Sequence, residues 1–203
     1  MCGILVWFDR EGQIDPARAY DALNTQSHRG PDGKGIYLWR PDKEKLEIFE
    51  GSASIAAPPE SERYSLFIGH NRLAIIDTLR RSAQPITDAD ESHVLAFNGC
   101  LYNYVEIRKS LREQNLTWRT ESDSEVLVNA LKMGGRSAIR DFNGSWAFAS
   151  FDKYERQVLL SRDRFGERPL YYYRDARYFI AASEPKAIFA ALDTLRPRRL
   201  VSE

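Results

Sequence analysis

The chain has 203 residues with 29 basic and 29 acidic side chains, so its formal net charge at pH 7 is zero. A balanced charge excludes the long-range field that draws proteins to nucleic acids or anionic membranes, and no apolar run has the length of a membrane span. Hydrophobic residues make up 43% of the chain, which suits one well-packed domain. We therefore expect neither a nucleic acid nor a membrane as a partner.

Cysteine and histidine are scarce. The two cysteines, Cys2 and Cys100, are too few for a disulfide framework. The three histidines, His28, His70 and His93, do not have the spacing of zinc ligands, so we predict no metal site. The short N-terminal apolar run lacks the basic flank of a signal peptide. We expect a reducing, cytoplasmic location.

The first half of the chain is predicted to be rich in strands. Asp15 as N-cap and Pro16 at the first helical position predict a helix over Pro16–Leu23. The Gly- and Pro-containing stretch Ser27–Gly35 is predicted to be an irregular loop, and Ala53–Arg63 an exposed connection. We predict strands over Ile4–Phe8, Gly35–Trp39, Leu46–Glu50, Leu66–His70, Leu73–Asp77 and Val94–Phe97.

The second half combines helices and strands. Helical spacing predicts a helix over Asn103–Gln114, and Ser122 with Glu125 forms a capping-box pattern that opens a helix over Asp123–Met133. We predict an antiparallel series over Trp146–Phe151, Gln157–Arg162, Leu170–Tyr173 and Tyr178–Ala182, and a last helix over Pro185–Leu192. This order of elements favours an α+β fold in which helices cover antiparallel sheets.

Cys2 directly follows the initiator methionine, so removal of Met1 would give a cysteine with a free α-amine. A thiol with a pKa of about 8.5 and an α-amine with a pKa of about 7.7–8.0 exchange a proton at a cost of about 1 kcal/mol. The thiolate is the nucleophile and the amine is its base, as in N-terminal threonine hydrolases. The position is therefore open to an N-terminal nucleophile. The alternative is a buried first strand in which Cys2 has no chemical role, and Cys2 taken alone favours this alternative.

A series of short motifs then follows along the whole chain, and their order carries more information than any one of them. They are Cys2–Ile4, His28–Gly35, His70–Asp77, Gln84–Ile86, Phe97–Asn103, Glu121–Val126, Phe142–Ala149, Arg162–Tyr172 and Ala182–Ala187. In this order they resemble the glutaminase domain of class II glutamine amidotransferases, in particular the amino-terminal half of asparagine synthetases.

The resemblance implies a four-layer αββα sandwich of two antiparallel sheets, the N-terminal nucleophile hydrolase fold. It implies a glutaminase domain over residues 1–192, followed by a linker, 193–203, toward an absent or separate synthetase domain. The implied reaction is attack of Cys2 on the side-chain amide of L-glutamine, with a γ-glutamyl thioester as intermediate and ammonia and glutamate as products. This step needs no cofactor.

The pair Asn98-Gly99 resembles the oxyanion hole of the family, with the asparagine amide and the glycine N–H as donors. Removal of one such donor costs about 10²–10³ in rate. Asn-Gly between apolar runs is also the favoured sequence of a two-residue hairpin turn, and the spacing alone does not decide between the two. The resemblance favours the oxyanion hole.

Arg72, with Leu73, resembles the element that binds the α-carboxylate of glutamine, and Asp123 the acid that binds its α-ammonium. The alternatives are an arginine at an exposed strand edge and a first-turn carboxylate stabilised by the helix dipole. Cys100 occupies a substrate-binding position that holds a glutamate in asparagine synthetases, so part of the ammonium contact is in doubt. A small buried residue is the preferred interpretation of Cys100.

The loop that contains Arg29, Gly30 and Asp32 resembles the family segment that borders the active site. Class II amidotransferases deliver ammonia to a second domain, which in asparagine synthetases uses ATP and Mg²⁺, and we expect such a domain or subunit as partner. The chain is expected to be a fragment of a longer protein or a separate glutaminase subunit. Two other hypotheses are a non-catalytic scaffold of the same fold and an N-terminal cysteine hydrolase of another amide.

Overall fold

The computed structural model describes residues 1–50, 62–77, 79–114 and 116–193. Over these ranges the chain forms two antiparallel sheets and four α-helices. The strands are β1 (Gly3–Asp9), β2 (Gly33–Arg40), β3 (Lys43–Glu50), β4 (Leu66–Arg72), β5 (Ile86–Thr87), β6 (His93–Leu101), β7 (Gly144–Asp152), β8 (Gln157–Arg162), β9 (Tyr171–Arg174) and β10 (Tyr178–Ala182). The helices are α1 (Pro16–Asn24), α2 (Tyr104–Leu111), α3 (Asp123–Gly134) and α4 (Pro185–Asp193).

The first sheet has the strand order β3-β2-β4-β1-β10-β9, and the second has the order β5-β6-β7-β8. β1 is a central strand and pairs with β4 and β10, with Leu5 opposite Gly69 on one side and Ala182 on the other. Because β1 is buried on both faces, its sequence is an unbroken apolar run.

Alternation along the central strands produces four layers. Ile4 and Val6 of β1 belong to the core between the two sheets, whereas Leu5 and Trp7 belong to the core beneath α1 and α4. On β6, Val94 and Ala96 face the first sheet, whereas Leu95 and Phe97 pack against α3. Since successive strand residues point to opposite faces, one strand contributes to two cores. The predicted α+β sandwich of two antiparallel sheets is confirmed.

The two N-caps predicted from the sequence, Asp15 and Ser122, are confirmed. The Asp15 carboxylate accepts the N–H of Ala17 at 3.0 Å and caps α1. The Ser122 hydroxyl accepts the N–H of Glu125 at 3.3 Å and caps α3. The Glu125 carboxylate accepts the N–H of Thr120 at 2.7 Å, so the box closes two residues earlier than in the usual pattern.

Three sequence predictions of local structure are wrong. Residues 73–77 are not a strand, because β4 ends at Arg72. The strand β2 begins at Gly33, inside the stretch predicted to be irregular. The last four strands do not form one series, since β8 lies in the second sheet and β9 in the first. Residues 53–61 of the predicted connection lie outside the described residues.

Candidate active site

A cavity of about 130 Å³ lies at the end of the sandwich where β1 begins. One water needs about 10–15 Å³, so the cavity has room for a small molecule. It is lined by Met1, Cys2, Arg72, Leu73, Ala74, Ile75, Ile76, Ser82, Gln84, Phe97, Asn98, Gly99, Cys100, Asp123, Ser124 and Arg168.

The Cys2 thiol is held at one wall of the cavity. Cys2 is two residues before Ile4 and points into the gap between the sheets, as Ile4 does. Its Sγ accepts the N–H of Leu73 at 3.3 Å and donates to the Leu73 carbonyl at 3.6 Å, and Arg29 Nε donates to the Cys2 carbonyl at 2.9 Å. Burial raises the pKa of the thiol, against the lowering effects of the Leu73 N–H, the N-terminal ammonium and Arg72. The thiol is therefore neutral at pH 7.

Asn98 lies inside β6, two residues after Ala96, and its side chain points into the same gap as that of Cys2. It is 2% exposed, and its Nδ2 is buried without a hydrogen-bond partner. The alternative of a hairpin turn at Asn98-Gly99 is wrong, because both residues pair with β7 in mid-strand. A buried donor without a partner beside a cavity can stabilise a negative charge that forms there.

The Gly99 N–H also points toward the cavity. On the same edge of β6, the N–H of Phe97 donates to Gln84 Oε1 at 2.6 Å and the N–H of Leu101 donates to Asp123 Oδ2 at 3.0 Å. Gly99 lies between them, and alternate residues of a strand present their N–H groups to one edge. A Cβ at Gly99 would lie 2.2 Å from the Ser145 carbonyl oxygen, so only glycine fits against β7.

Arg72 ends β4, a strand with neighbours on both sides, so the alternative of an exposed strand edge is wrong. Its guanidinium borders the cavity and donates to the carbonyl of Asp77 at 2.7 Å and to that of Leu79 at 3.2 Å. These contacts hold the planar fork in place, and such a fork pairs with carboxylates through two parallel bonds. Leu73 follows directly and lines the cavity beside Cys2.

Asp123 and Cys100 also line the cavity. Asp123 is 6% exposed, and burial raises the pKa of its carboxyl despite the hydrogen bond from the Leu101 N–H. Cys100 is partly exposed and lines the cavity, so its interpretation as a small buried residue is wrong. Burial and the nearby Asp123 raise the pKa of its thiol, while Arg168 opposes them. The two cysteines are both free thiols.

The residues of the predicted bordering loop contact the backbone of residues that line or flank the cavity. Gly30 packs on the backbone of β4, where an added Cβ would lie 2.3 Å from the Asn71 carbonyl. Asp32 Oδ2 accepts the N–H of Ala74 at 2.8 Å, and Arg29 contacts the Cys2 carbonyl. The three loop residues hold cavity-lining residues and are not themselves part of the lining.

Sequence reasoning missed three residues at this site. Gln84 borders the cavity and fixes the Phe97 N–H, and Arg168 brings a second guanidinium. The buried His70 makes a hydrogen bond of 3.0 Å through Nε2 to the Phe97 carbonyl and so joins β4 to β6. All three belong to the ordered motifs, which were the only signal, because their roles depend on contacts across the sandwich.

The described residues contain neither a metal-binding cluster nor a membrane-spanning helix. No group of three or more His, Cys, Asp or Glu side chains in these ranges is arranged to hold a metal ion. No described helix is long and apolar enough to cross a bilayer.

The sequence over residues 60–198 matches the model of a protein family described as the glutamine amidotransferase domain. This chain belongs to that family. The amidotransferase domain is 35% identical over 192 residues to the putative asparagine synthetase [glutamine-hydrolyzing] 1 of Methanocaldococcus jannaschii, covering 95% of this chain and 34% of that protein. It is 34% identical to asparagine synthetase [glutamine-hydrolyzing] 1 of Bacillus subtilis, covering 94% and 27%. The domain thus spans about a third of the length of these relatives.

Solved structures with this fold include glutamine phosphoribosylpyrophosphate amidotransferase of B. subtilis complexed with ADP and GMP, with a TM-score of 0.77. A structure of the allosteric regulatory enzyme of purine biosynthesis gives a TM-score of 0.79. Each is 24% identical to the amidotransferase domain and covers 94% of this chain and 43% of its own. At this identity the likeness concerns the fold alone.

Proposed function

We propose that this domain hydrolyses the side-chain amide of L-glutamine to glutamate and ammonia through a thioester on Cys2. One observation carries the proposal: the Cys2 thiol and the unpartnered amide of Asn98 line a cavity that also holds the Arg72 guanidinium and the Asp123 carboxyl. These are a nucleophile, an oxyanion donor and two groups of opposite charge. They match the side-chain amide of glutamine and the two charged groups on its α-carbon. The names of the relatives, glutamine-hydrolysing asparagine synthetases, agree with it.

The first step requires a base, because the buried thiol of Cys2 is neutral at pH 7. Once Met1 is removed, the α-amine of Cys2 takes the thiol proton, and the thiolate attacks the amide carbon. Negative charge forms on the amide oxygen, where Asn98 Nδ2 and the Gly99 N–H donate to it. The proton then passes from the α-ammonium of Cys2 to the leaving nitrogen. The C–N bond breaks, ammonia departs, and the glutamyl group stays bound to Cys2 as a thioester. Water then attacks the thioester, which releases glutamate and restores the thiol.

Recognition of the substrate uses the two charged groups on its α-carbon. In the proposal Arg72 binds the α-carboxylate through its fork, and Asp123 binds the α-ammonium. Ionisation of Asp123 is assisted by the bound ammonium, which offsets the effect of burial on its pKa. Cys100 provides no negative charge, so Asp123 acts without a second carboxylate from this position.

The ammonia is proposed to serve an ATP- and Mg²⁺-dependent amidation like that of asparagine synthetases. The curated relatives are about three times as long as the matched region, which leaves room for a synthetase domain. In this proposal residues 1–192 are the glutaminase domain and residues 193–203 lead toward that domain or subunit. A thiol nucleophile also favours a reducing compartment such as the cytoplasm.

The experiment is glutamate release from L-glutamine by the purified chain, after intact mass has established that Met1 is absent. We expect release by the wild type, none by Cys2→Ala, and a KM raised about a hundredfold or more in Arg72→Met, since a charged hydrogen bond is lost at each end of the fork. Arg10→Met is the matched control, because Arg10 is exposed at the far end of β1. Its activity should equal that of the wild type.

A processed wild-type chain that releases no glutamate, alone or with its synthetase partner, contradicts the proposal. That result would favour the non-catalytic scaffold. Hydrolysis of simple amides at the same rate in the wild type and in Arg72→Met would favour the hydrolase of another amide.

A further inference from the structure

Asp77 connects the two proposed substrate-binding elements, Arg72 and the start of α3 with Asp123. Its side chain is not part of the cavity lining. Its backbone carbonyl accepts Arg72 Nη2 at 2.7 Å. Its carboxylate Oδ2 accepts the N–H of Glu121 at 3.1 Å, two residues before α3 begins at Asp123. One residue therefore contacts both the Arg72 guanidinium and the segment that leads into α3, which begins with Asp123.

The backbone of Asp77 is in a conformation that non-glycine residues seldom adopt. Its φ is +45°, and the other non-glycine residues with positive φ in the described ranges are Glu91 and Arg156. Those two lie in the hairpin connections β5–β6 and β7–β8, where such angles are expected. Asp77 lies in no hairpin, and strained residues outside turns concentrate at functional sites.

The carboxylate of Asp77 is held as firmly as its backbone. The side chain is 4% exposed, and Arg81 Nε donates to Oδ2 at 3.0 Å. Burial alone would raise the pKa of this carboxyl, but the Glu121 N–H and the Arg81 guanidinium keep it below its usual range. Asp77 is therefore ionised at pH 7, and it forms a charged hydrogen bond to the backbone before α3.

We propose that Asp77 is a positioning residue that fixes the separation between Arg72 and Asp123 and thereby lets the two side chains bind the α-carboxylate and the α-ammonium of one amino acid together. The proposal rests on the proposed function, in which Arg72 binds the carboxylate and Asp123 the ammonium. Loss of the bridge lets Arg72 and the start of α3 move relative to each other. The fork and the carboxyl then no longer bind the α-carboxylate and the α-ammonium of glutamine at once, whereas Cys2 and Asn98 keep their own contacts.

The test compares Asp77→Asn and Asp77→Ala with the wild type in glutamate release. Asparagine tolerates the left-handed backbone and keeps an acceptor for the Glu121 N–H, whereas alanine does neither. We expect KM for glutamine to rise about tenfold in Asp77→Ala and two- to threefold in Asp77→Asn, with kcat within about threefold of the wild type. Partial rescue by asparagine is part of the prediction.

A second substrate separates positioning from general loss of structure. Glutaramate is glutamine without its α-amine, so it can bind Arg72 but has no ammonium for Asp123. Since the bridge matters only when both groups are bound, Asp77→Ala should raise KM for glutaramate less than twofold. Asp88→Asn is the matched control: Asp88 is fully buried, accepts the His93 N–H at 2.7 Å and pairs with Lys132, and it does not line the cavity. Its KM for glutamine should match that of the wild type.

The outcomes separate the two proposals. Equal rises in KM for glutamine and glutaramate, or a KM of Asp77→Ala equal to that of Asp88→Asn, overturn the role of Asp77 while the wild type remains a glutaminase. A wild type without glutaminase activity overturns the proposed function and this inference with it.

Discussion

Asn98 combines a cost in stability with a proposed gain in chemistry. A buried donor without a partner costs about 1–3 kcal/mol, and Asn98 Nδ2 is such a donor. We predict that Asn98→Ala lowers kcat about 10²–10³-fold and leaves the free energy of unfolding equal to or above that of the wild type. Glutamate release and urea unfolding measure the two quantities. A stability loss that matches the loss of activity would mean that Asn98 is a structural residue.

His70 makes stability depend on pH. Burial, with Arg72 nearby, lowers its pKa from 6.5 to about 4, so the folded protein keeps the ring neutral while the unfolded chain binds a proton. This contribution is fully present above pH 6.5 and is lost as the pH falls toward 4. We predict that the free energy of unfolding falls by about 2 kcal/mol between pH 7 and pH 5.

His70→Gln provides the comparison for this prediction, because its amide can donate to the Phe97 carbonyl without titrating. Urea unfolding of the variant should show a much smaller change between pH 7 and pH 5. An unchanged pH dependence in His70→Gln would assign the effect to other groups.

The chemistry of single residues was partly predictable from the sequence. Cys2 follows Met1, a position that is open to a nucleophile with its own base but taken alone favours a buried first strand, and the family motifs decided for the nucleophile. The roles of Arg72 and Asp123 came only from the family motifs, and their side-chain functions remain predictions. His70 and Gln84 were missed because each acts on the backbone of Phe97, a contact between strands that no local spacing encodes.

At the scale of elements, residues 73–77 show why a strand-like sequence leaves the sheet. The stretch is apolar and β-branched, which favours a strand. Its backbone groups bond instead to side chains: the Leu73 N–H donates to Cys2 Sγ and the Ala74 N–H to Asp32. Long-range side-chain acceptors thus replace the neighbouring strand, and propensity cannot anticipate them.

The chain passes from the second sheet to the first between β8 and β9, and the carboxylate of Asp163 organises this crossover. Asp163, 6% exposed, follows β8 and accepts the N–H groups of Trp146, Phe165, Glu167 and Arg168 at 3.0–3.2 Å. We predict that Asp163→Asn costs about 3 kcal/mol, because the amide nitrogen faces two N–H donors that lose their acceptor. The midpoint of urea unfolding should fall with an unchanged slope.

Asp175→Asn is the control for the crossover. Asp175 also accepts two backbone N–H groups, those of Arg177 and Tyr178, but in the exposed β9–β10 connection. Its substitution should cost less than half as much as that of Asp163. Equal costs would show that the hydrogen bonds of Asp163 have no special importance for the crossover.

At the scale of the whole molecule, the order of strands and helices along the chain predicted antiparallel sheets covered by helices. It did not predict which strands share a sheet, since β8 and β9 are joined by a short connection yet lie in different sheets. Pairing between strands distant in sequence, such as β1 with β10, depends on the global packing. The four-layer order came from the family resemblance.

The proposed nucleophile, Cys2, lies directly before the central strand β1. Met1 lines the cavity beside Cys2 and is half exposed, and its removal disturbs none of the three cores. The central claim is that Cys2 acts with its own α-amine as base. It therefore predicts that activity depends on the loss of one exposed residue.

The most direct measurement is glutamate release by two preparations of the chain, one that retains Met1 by intact mass and one that has lost it. The account predicts release by the shortened chain only, and its loss in Cys2→Ala. Equal release by the chain that retains Met1, or release by Cys2→Ala, would contradict the account.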